Sequence, residues 1–223
     1  MNKLLVICGP TATGKTRVAF DLAKKFNGEL ISADSRMVYK YMDIGTGKDL
    51  PVNLKSQNLN VKIHGYDLVR SDEEFSVSQY ALFANKAITE IFNRKKLPIL
   101  VGGSGFYIKA VIDGIETADI KPNKRLTEDL QSKTADELFK MLEDIDRFRA
   151  EKMNESDKRN PRRLIRAIEI SKACPFGIAK SNLKFKIRNL KSNYIVLMIG
   201  LTCDLEELKK RIGKRVDESA QKL

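Results

Sequence analysis

Gly9-Pro10-Thr11-Ala12-Thr13-Gly14-Lys15-Thr16 follows the apolar run Leu4, Leu5, Val6, Ile7, Cys8 and leads into a helical pattern. The form is glycine, four residues, then Gly-Lys-Thr, and a strand before with a helix after is the context that a phosphate-binding loop needs. Its glycines let the backbone curl so that several amide N–H groups face one anion. Lys15 then reaches the distal phosphate, and Thr16 can hold a Mg²⁺ ion. An ordinary Gly-rich turn is the competing reading, and the flanking strand and helix weigh against it. The loop suits a nucleotide such as ATP as well as any other phosphorylated compound, and names none of them.

Downstream, Val18, Phe20, Leu22, Ala23 and Phe26 give a mostly buried helical stripe that ends near Asn27-Gly28, a helix stop. Glu29 to Ala33 reads as a second strand running into Asp34-Ser35-Arg36. Asp34 should therefore emerge at the carboxyl end of a parallel strand beside the loop, the edge at which ligands bind in open α/β sheets. The alternative for Asp34 is an N-cap of the short segment Met37 to Met42. Asp43-Ile44-Gly45-Thr46-Gly47-Lys48 reads as a turn, because turns need glycine for the same reason as ligand cradles. Val61 to Ile63 reads as a short edge strand, and His64, the one histidine, as structural.

Ser76-Val77-Ser78-Gln79 has the form of a capping box and opens a helix with apolar residues at helical spacing from Val77 to Phe92. Leu97-Pro98-Ile99-Leu100-Val101 is a buried-type strand that discharges into Gly102-Gly103-Ser104-Gly105, where the backbone is open to a ligand and Ser104 adds a hydroxyl. Tyr194 to Ile199 reads as a final buried-type strand, and Asp204 to Glu207 as the cap of a last amphipathic helix. The fold expected is α/β: a P-loop NTPase-like parallel sheet flanked by helices, formed by residues 1–118 and 192–223.

Between them, residues 119–191 read as a basic helical insertion anchored by Leu126, Leu130, Leu138, Leu142 and Phe148. Residues 1–119 carry 16 Lys/Arg against 13 Asp/Glu, a net of +3, whereas residues 120–223 carry 25 against 16, a net of +9. That asymmetry favours a polyanionic partner over plain solubility. Within the insertion, Asn160-Pro161-Arg162-Arg163-Leu164-Ile165-Arg166 opens a helix whose arginines recur along one side, facing either solvent or a nucleic-acid backbone, while Leu164, Ile165 and Ile168 pack inward. Lys184, Phe185, Lys186 and Arg188 mix an aromatic with basic residues, a further nucleic-acid hint. The cysteines, Cys8, Cys174 and Cys203, are far apart and lack metal-ligand spacing, which fits a reducing compartment. No stretch approaches the ~20 apolar residues of a membrane span. A cytoplasmic protein without membrane contact is expected.

In sequence order these motifs resemble one family, the tRNA dimethylallyltransferases, also called tRNA isopentenyltransferases. The matching pieces are the phosphate loop, Ile31-Ser32-Ala33-Asp34-Ser35-Arg36 with Val38-Tyr39, and Met42 to Lys48. Further matches are Pro98 to Gly105 with Tyr107, Asn160 to Glu169, and Arg211-Ile212 with Arg215-Val216-Asp217. The resemblance implies transfer of a dimethylallyl group from its diphosphate to N6 of the adenine 3′ of the anticodon in tRNA, assisted by Mg²⁺. It implies that Gly9, Thr11, Ala12, Thr13, Gly14, Lys15 and Thr16 contact the diphosphate, with Thr16 at the metal, and that Asp34 and Lys15 are catalytic. It implies that Asp34, Ser35, Arg36, Met37, Ser104, Arg125, Arg162, Arg163, Leu164, Ile165 and Arg166 lie along the anticodon stem-loop of a tRNA bound by a monomer. Met37 stands where the family often has glutamine, and Ser104 where it has threonine. Family members usually continue for several helices past the equivalent of Leu223, with further tRNA contacts and an arginine toward the diphosphate. The alternatives are an enzyme prenylating free adenine nucleotides, a P-loop small-molecule kinase, and a shortened RNA-binding homologue without turnover.

Overall fold

A computed structural model describes residues 2–46, 48, 61–115, 117, 120–174 and 194–221. Its strands are β1 (Asn2–Cys8), β2 (Gly28–Ser32), β3 (Ile63–His64), β4 (Leu97–Gly102) and β5 (Tyr194–Gly200). All pair in parallel, in the order β3-β2-β4-β1-β5. The three inner strands, β2, β4 and β1, are covered on both faces. Accordingly Leu4 to Ile7, Leu30 to Ile31 and Ile99 to Leu100 are almost wholly buried.

The helices come in two sets. Around the sheet lie α1 (Lys15–Lys25), α2 (Asp43–Thr46), α3 (Val77–Asn93), α4 (Gly105–Asp113) and, last in the chain, α10 (Leu205–Ala220). Ala19, Phe20 and Ala23 of α1 pack on Leu5, Ile7, Leu30, Ile99 and Val101. The alternate strand residues Leu4, Val6, Ile31 and Leu100 are buried on the other face, where α3 and α4 pack. α3 begins with the expected capping box, in which Ser76 and Gln79 satisfy each other's amides. α1 stops at Lys25, and Asn27 takes the left-handed conformation (φ 49°) while Gly28 already belongs to β2. Asp204 caps α10, its Oδ1 accepting from the Glu206 and Glu207 amides.

The chain divides into two compact units, Met1–Gly114 with Arg188–Leu223, and Ile115–Ile187. The second contains α5 (Lys124–Leu130), α6 (Ala135–Ile145), α7 (Arg147–Glu151), α8 (Glu155–Lys158) and α9 (Pro161–Ala173). Its core is Leu130, Leu138, Leu142, Ala150, Leu164, Ile165, Ala167 and Ile168. Glu169 is buried there. It accepts from the Asn123 amide (3.0 Å), the Thr127 hydroxyl (2.9 Å) and Arg166 (3.0 Å), which ties the start of α5 to α9.

Two expectations need correction. β5 is an edge strand, and Ile195, Leu197 and Met198 are about half exposed, with Tyr194 alone buried. Its apolar composition is that of an inner strand, but position in the sheet decides burial. Phe148 is no core anchor: it is 67% exposed, with the Lys152 ammonium 3.9 Å over its ring.

Glu29, at the start of β2 and 2% exposed, binds His64 Nε2 (2.7 Å), Arg94 (2.7 Å) and Lys96 (3.0 Å). His64 is thereby structural. Burial by itself would raise the Glu29 carboxyl, but its hydrogen-bonded partners outweigh it and hold the group down at about 2. Because the folded value lies below the unfolded one, this contribution is present above pH ~4.5 and lost as pH falls towards ~2. Glu29→Gln should cost on the order of 3 kcal/mol in urea unfolding at pH 7, with the difference from wild type shrinking across that acid window.

Candidate functional site

β2, β4 and β1 are adjacent, so their exit loops meet at one edge of the sheet. Residues 9–14 leave β1, residues 33–37 leave β2, and Gly103-Ser104 leave β4. Together with α10 they enclose a cleft of about 1080 Å³. Its walls include Thr11, Ala12, Gly14, Lys15, Thr16 and Arg17 from the first loop, Asp34 to Met37 from the second, and Gly103-Ser104 from the third. Ile212, Arg215, Val216 and Glu218 of α10 form a further side.

The first loop is built for an anion. Gly14 sits before α1 in the left-handed region (φ 85°), and no side chain caps the helix. The first intrahelical bond is Val18 N–H to Gly14 C=O, which leaves the preceding amides of the helix free for a ligand. Ala12 also has a positive φ (65°), and at Gly9 (φ 144°) a Cβ would meet the Leu201 carbonyl oxygen at 2.2 Å. Lys15 donates its ammonium to the Pro10 carbonyl across the loop. Partial burial lowers its pKa below the ordinary lysine value; Asp34 opposes this, and Arg215 adds to it.

The second and third loops are strapped together. Ala33 N–H donates to Val101 C=O (2.7 Å), Ser104 N–H to Ala33 C=O (3.1 Å) and Ser35 N–H to Ser104 Oγ (3.0 Å). Asp34 Oδ1 accepts from the Arg36 amide (2.9 Å), and the chain then turns instead of forming a helix over Met37 to Met42. The capping alternative for Asp34 is thus an Asx turn, which occupies one carboxylate oxygen. Gly102 has no room for a side chain: a Cβ there would lie 2.1 Å from the Ala33 carbonyl oxygen. Gly102→Ala should part the strap and destabilise the protein by about 3 kcal/mol or more, measured by thermal unfolding.

The Asp43 to Lys48 stretch is not a plain turn. Asp43 to Thr46 form α2, and the buried Lys48 ammonium binds Asp43 (3.0 Å), Asp67 (2.6 Å) and the Tyr39 carbonyl. Burial alone would lower the Lys48 pKa, but the two carboxylates raise it above the usual value. This clamp places Thr46 in the cleft wall. Gly47 lies outside the described residues, as do Lys184, Phe185, Lys186 and Arg188.

In the helical unit Arg125 and Arg162 are exposed. Arg163 is exposed too and pairs with Asp157. Arg166 is committed to Glu169 and to the Ile120 carbonyl, which makes it a brace of the fold first. Leu164 and Ile165, expected along the tRNA, are 0% and 6% exposed in the core of this unit. The inward packing read from their helical spacing is what α9 shows, and their side chains are not exposed for contact.

The residues that sequence reasoning missed are Arg17, Tyr66 and Arg215. Arg17 carried a signal, as it follows Thr16 directly, and Arg215 sits in the family-matching stretch Arg215-Val216-Asp217, though about 200 residues from the loop. Among the described residues no helix is long and apolar enough to cross a membrane, and no group of three His, Cys, Asp or Glu suits a metal ion.

A family model described as IPP transferase matches residues 37–222. The chain is 40% identical to a tRNA dimethylallyltransferase of Acetivibrio thermocellus over 100% of its own length and 69% of the relative's. It is 41% identical to that of Finegoldia magna, over 97% of this chain and 68% of the other. Among solved structures, the tRNA isopentenylpyrophosphate transferase of Bacillus halodurans is similar with a TM-score of 0.64 and 37% identity, covering 100% of this chain and 67% of that one. A eukaryotic dimethylallyltransferase acting on tRNA gives a TM-score of 0.76 at 26% identity, covering 100% and 54%. With its parallel sheet, its phosphate loop and these relatives, the chain belongs to the IPP transferase family, the tRNA dimethylallyltransferases.

Proposed function

We propose that the protein transfers a dimethylallyl group from dimethylallyl diphosphate to N6 of the adenine 3′ of the anticodon in tRNA. One observation carries this reading: the anion-binding loop and the carboxylate of Asp34 line the same cleft. A diphosphate seated on the amides of residues 11–16 is a leaving group whose charge grows as the carbon–oxygen bond breaks, and the loop with Lys15 stabilises that charge. The adenine N6 lone pair is delocalised into the ring, so removal of its proton must accompany bond formation. Asp34 Oδ2, the oxygen not taken by the Arg36 amide, would accept it. Arg215 lines the same cleft, close enough to Lys15 and Tyr66 to lower the pKa of each.

The chemistry of the site fits Mg²⁺. Thr16 lines the cleft beside Lys15, and one hydroxyl with diphosphate oxygens and water is the ligand set that this ion accepts without a carboxylate cluster. When bound there, the ion would neutralise the leaving diphosphate. The exposed Arg125, Arg162 and Arg163, in the half of the chain with a net charge of +9, suit the phosphates of the anticodon stem. Three cysteines without disulfides and the tRNA substrate support a cytoplasmic location.

The test follows the diphosphate. With labelled dimethylallyl diphosphate, Mg²⁺ and an unmodified anticodon stem-loop, one inorganic diphosphate should be released per label transferred to RNA. Release of ADP from ATP, or transfer to free adenine nucleotides in place of the stem-loop, would overturn the assignment.

A further inference from the structure

Tyr66 leaves β3 in a turn held on both sides. Gly65 before it has φ 95° and passes so close to β2 that a Cβ would sit 3.0 Å from the Ser32 carbonyl oxygen. Asp67 after it donates its amide to the Met37 carbonyl (3.3 Å) and holds the buried Lys48 ammonium at 2.6 Å. Tyr66 thus lines the cleft from a fixed position, and Asp34 and Met37 line the same cleft. Its hydroxyl has no hydrogen-bond partner among the described residues. Burial first, and Asp34 second, push the phenol up to about 12 against the opposing effect of Arg215, so at neutral pH it is a donor.

Asp34 offers the complementary group. With Oδ1 engaged by the Arg36 amide, Oδ2 is an acceptor. Adenine presents N6–H as a donor and the neighbouring ring nitrogens N1 and N7 as acceptors, whereas guanine has the acceptor O6 in place of the amine. A carboxylate and a phenol lining one cleft therefore match adenine and repel guanine at the carboxylate.

Resting on the prenyl-transfer reading of the cleft, we propose that Tyr66 determines base specificity by donating a hydrogen bond to N1 or N7 of the acceptor adenine while Asp34 accepts from N6. Discrimination then comes from a pair of groups, and the phenol contributes its share without taking part in the proton transfer.

The experiment compares the wild-type chain with Tyr66→Phe on anticodon stem-loops carrying adenine, 1-deazaadenine or 7-deazaadenine at the acceptor position. Tyr66→Phe should lower kcat/KM on adenine about 10-fold, the size of one lost hydrogen bond. One of the two analogues should lower the wild-type value by a similar factor and lower the variant no further, the non-additivity that marks a direct contact. The analogue that does so names the nitrogen. Losses that carry over in full to Tyr66→Phe, or a variant within two-fold of wild type on adenine, would overturn the proposal. The wild-type arm also stands alone: if neither analogue costs more than two-fold, no donor reads the ring nitrogens. A wild-type chain that transfers nothing to adenine removes the prenyl-transfer reading itself, a different result from transfer that ignores Tyr66.

Discussion

Replacing Asp34 by asparagine should lower prenyl transfer about 10³-fold while changing retention of tRNA on the protein by less than about three-fold. Asparagine keeps the size of the side chain and can still accept the Arg36 amide that holds Asp34 Oδ1 at 2.9 Å. It cannot take a proton from N6. The strap between Ala33, Val101, Ser104 and Ser35 does not involve the carboxylate, so the loop keeps its course. Single-turnover transfer with bound substrates separates the two effects, since it reports the chemical step without RNA affinity. Transfer at the wild-type rate would assign the proton to another acceptor.

Lys15→Ala should reduce transfer by about 10² to 10³-fold, the range found when one preorganised electrostatic partner of a developing negative charge is removed. The ammonium lies across its loop on the Pro10 carbonyl, beside the helix-start amides, and its partial burial strengthens its interaction with a diphosphate. Lys15→Arg should recover only part of the loss, because the planar guanidinium does not occupy the place of a compact ammonium. The loss should appear in both the rate and the diphosphate affinity, measured by competition with inorganic diphosphate. An effect confined to RNA binding would contradict the role.

The parts of this protein that could be read from sequence are those in which a local pattern carries the physics. A strand, a glycine-framed loop and a helix are contiguous from Asn2 to Lys25, so this strand–loop–helix unit was legible with its context. The parallel sheet followed from apolar runs ending in turn residues, and the α3 capping box needed four positions. What escaped depends on contacts distant in sequence. Lys48 looked like the end of a Gly-rich turn because its partner Asp67 lies 19 residues on. Glu29 gave no sign of its importance, since His64, Arg94 and Lys96 converge on it only in three dimensions. β5 was misjudged because composition cannot tell an inner strand from an edge. Leu164 and Ile165 were legible from helical spacing as core residues, and α9 buries them; only the block match to the family set them along the tRNA. Tyr66 lacked any local signal, being brought to Asp34 by the pairing of β3 with β2.

The most direct test of the central claim is nucleoside mass analysis after incubating the purified 223-residue chain with dimethylallyl diphosphate, Mg²⁺ and unmodified tRNA bearing an adenine 3′ of the anticodon. The account predicts adenosine carrying a dimethylallyl group on N6 at that position, absent when Asp34→Asn replaces the wild type. Unmodified adenosine from wild-type protein that retains the tRNA, beside an active relative treated in parallel, would contradict it.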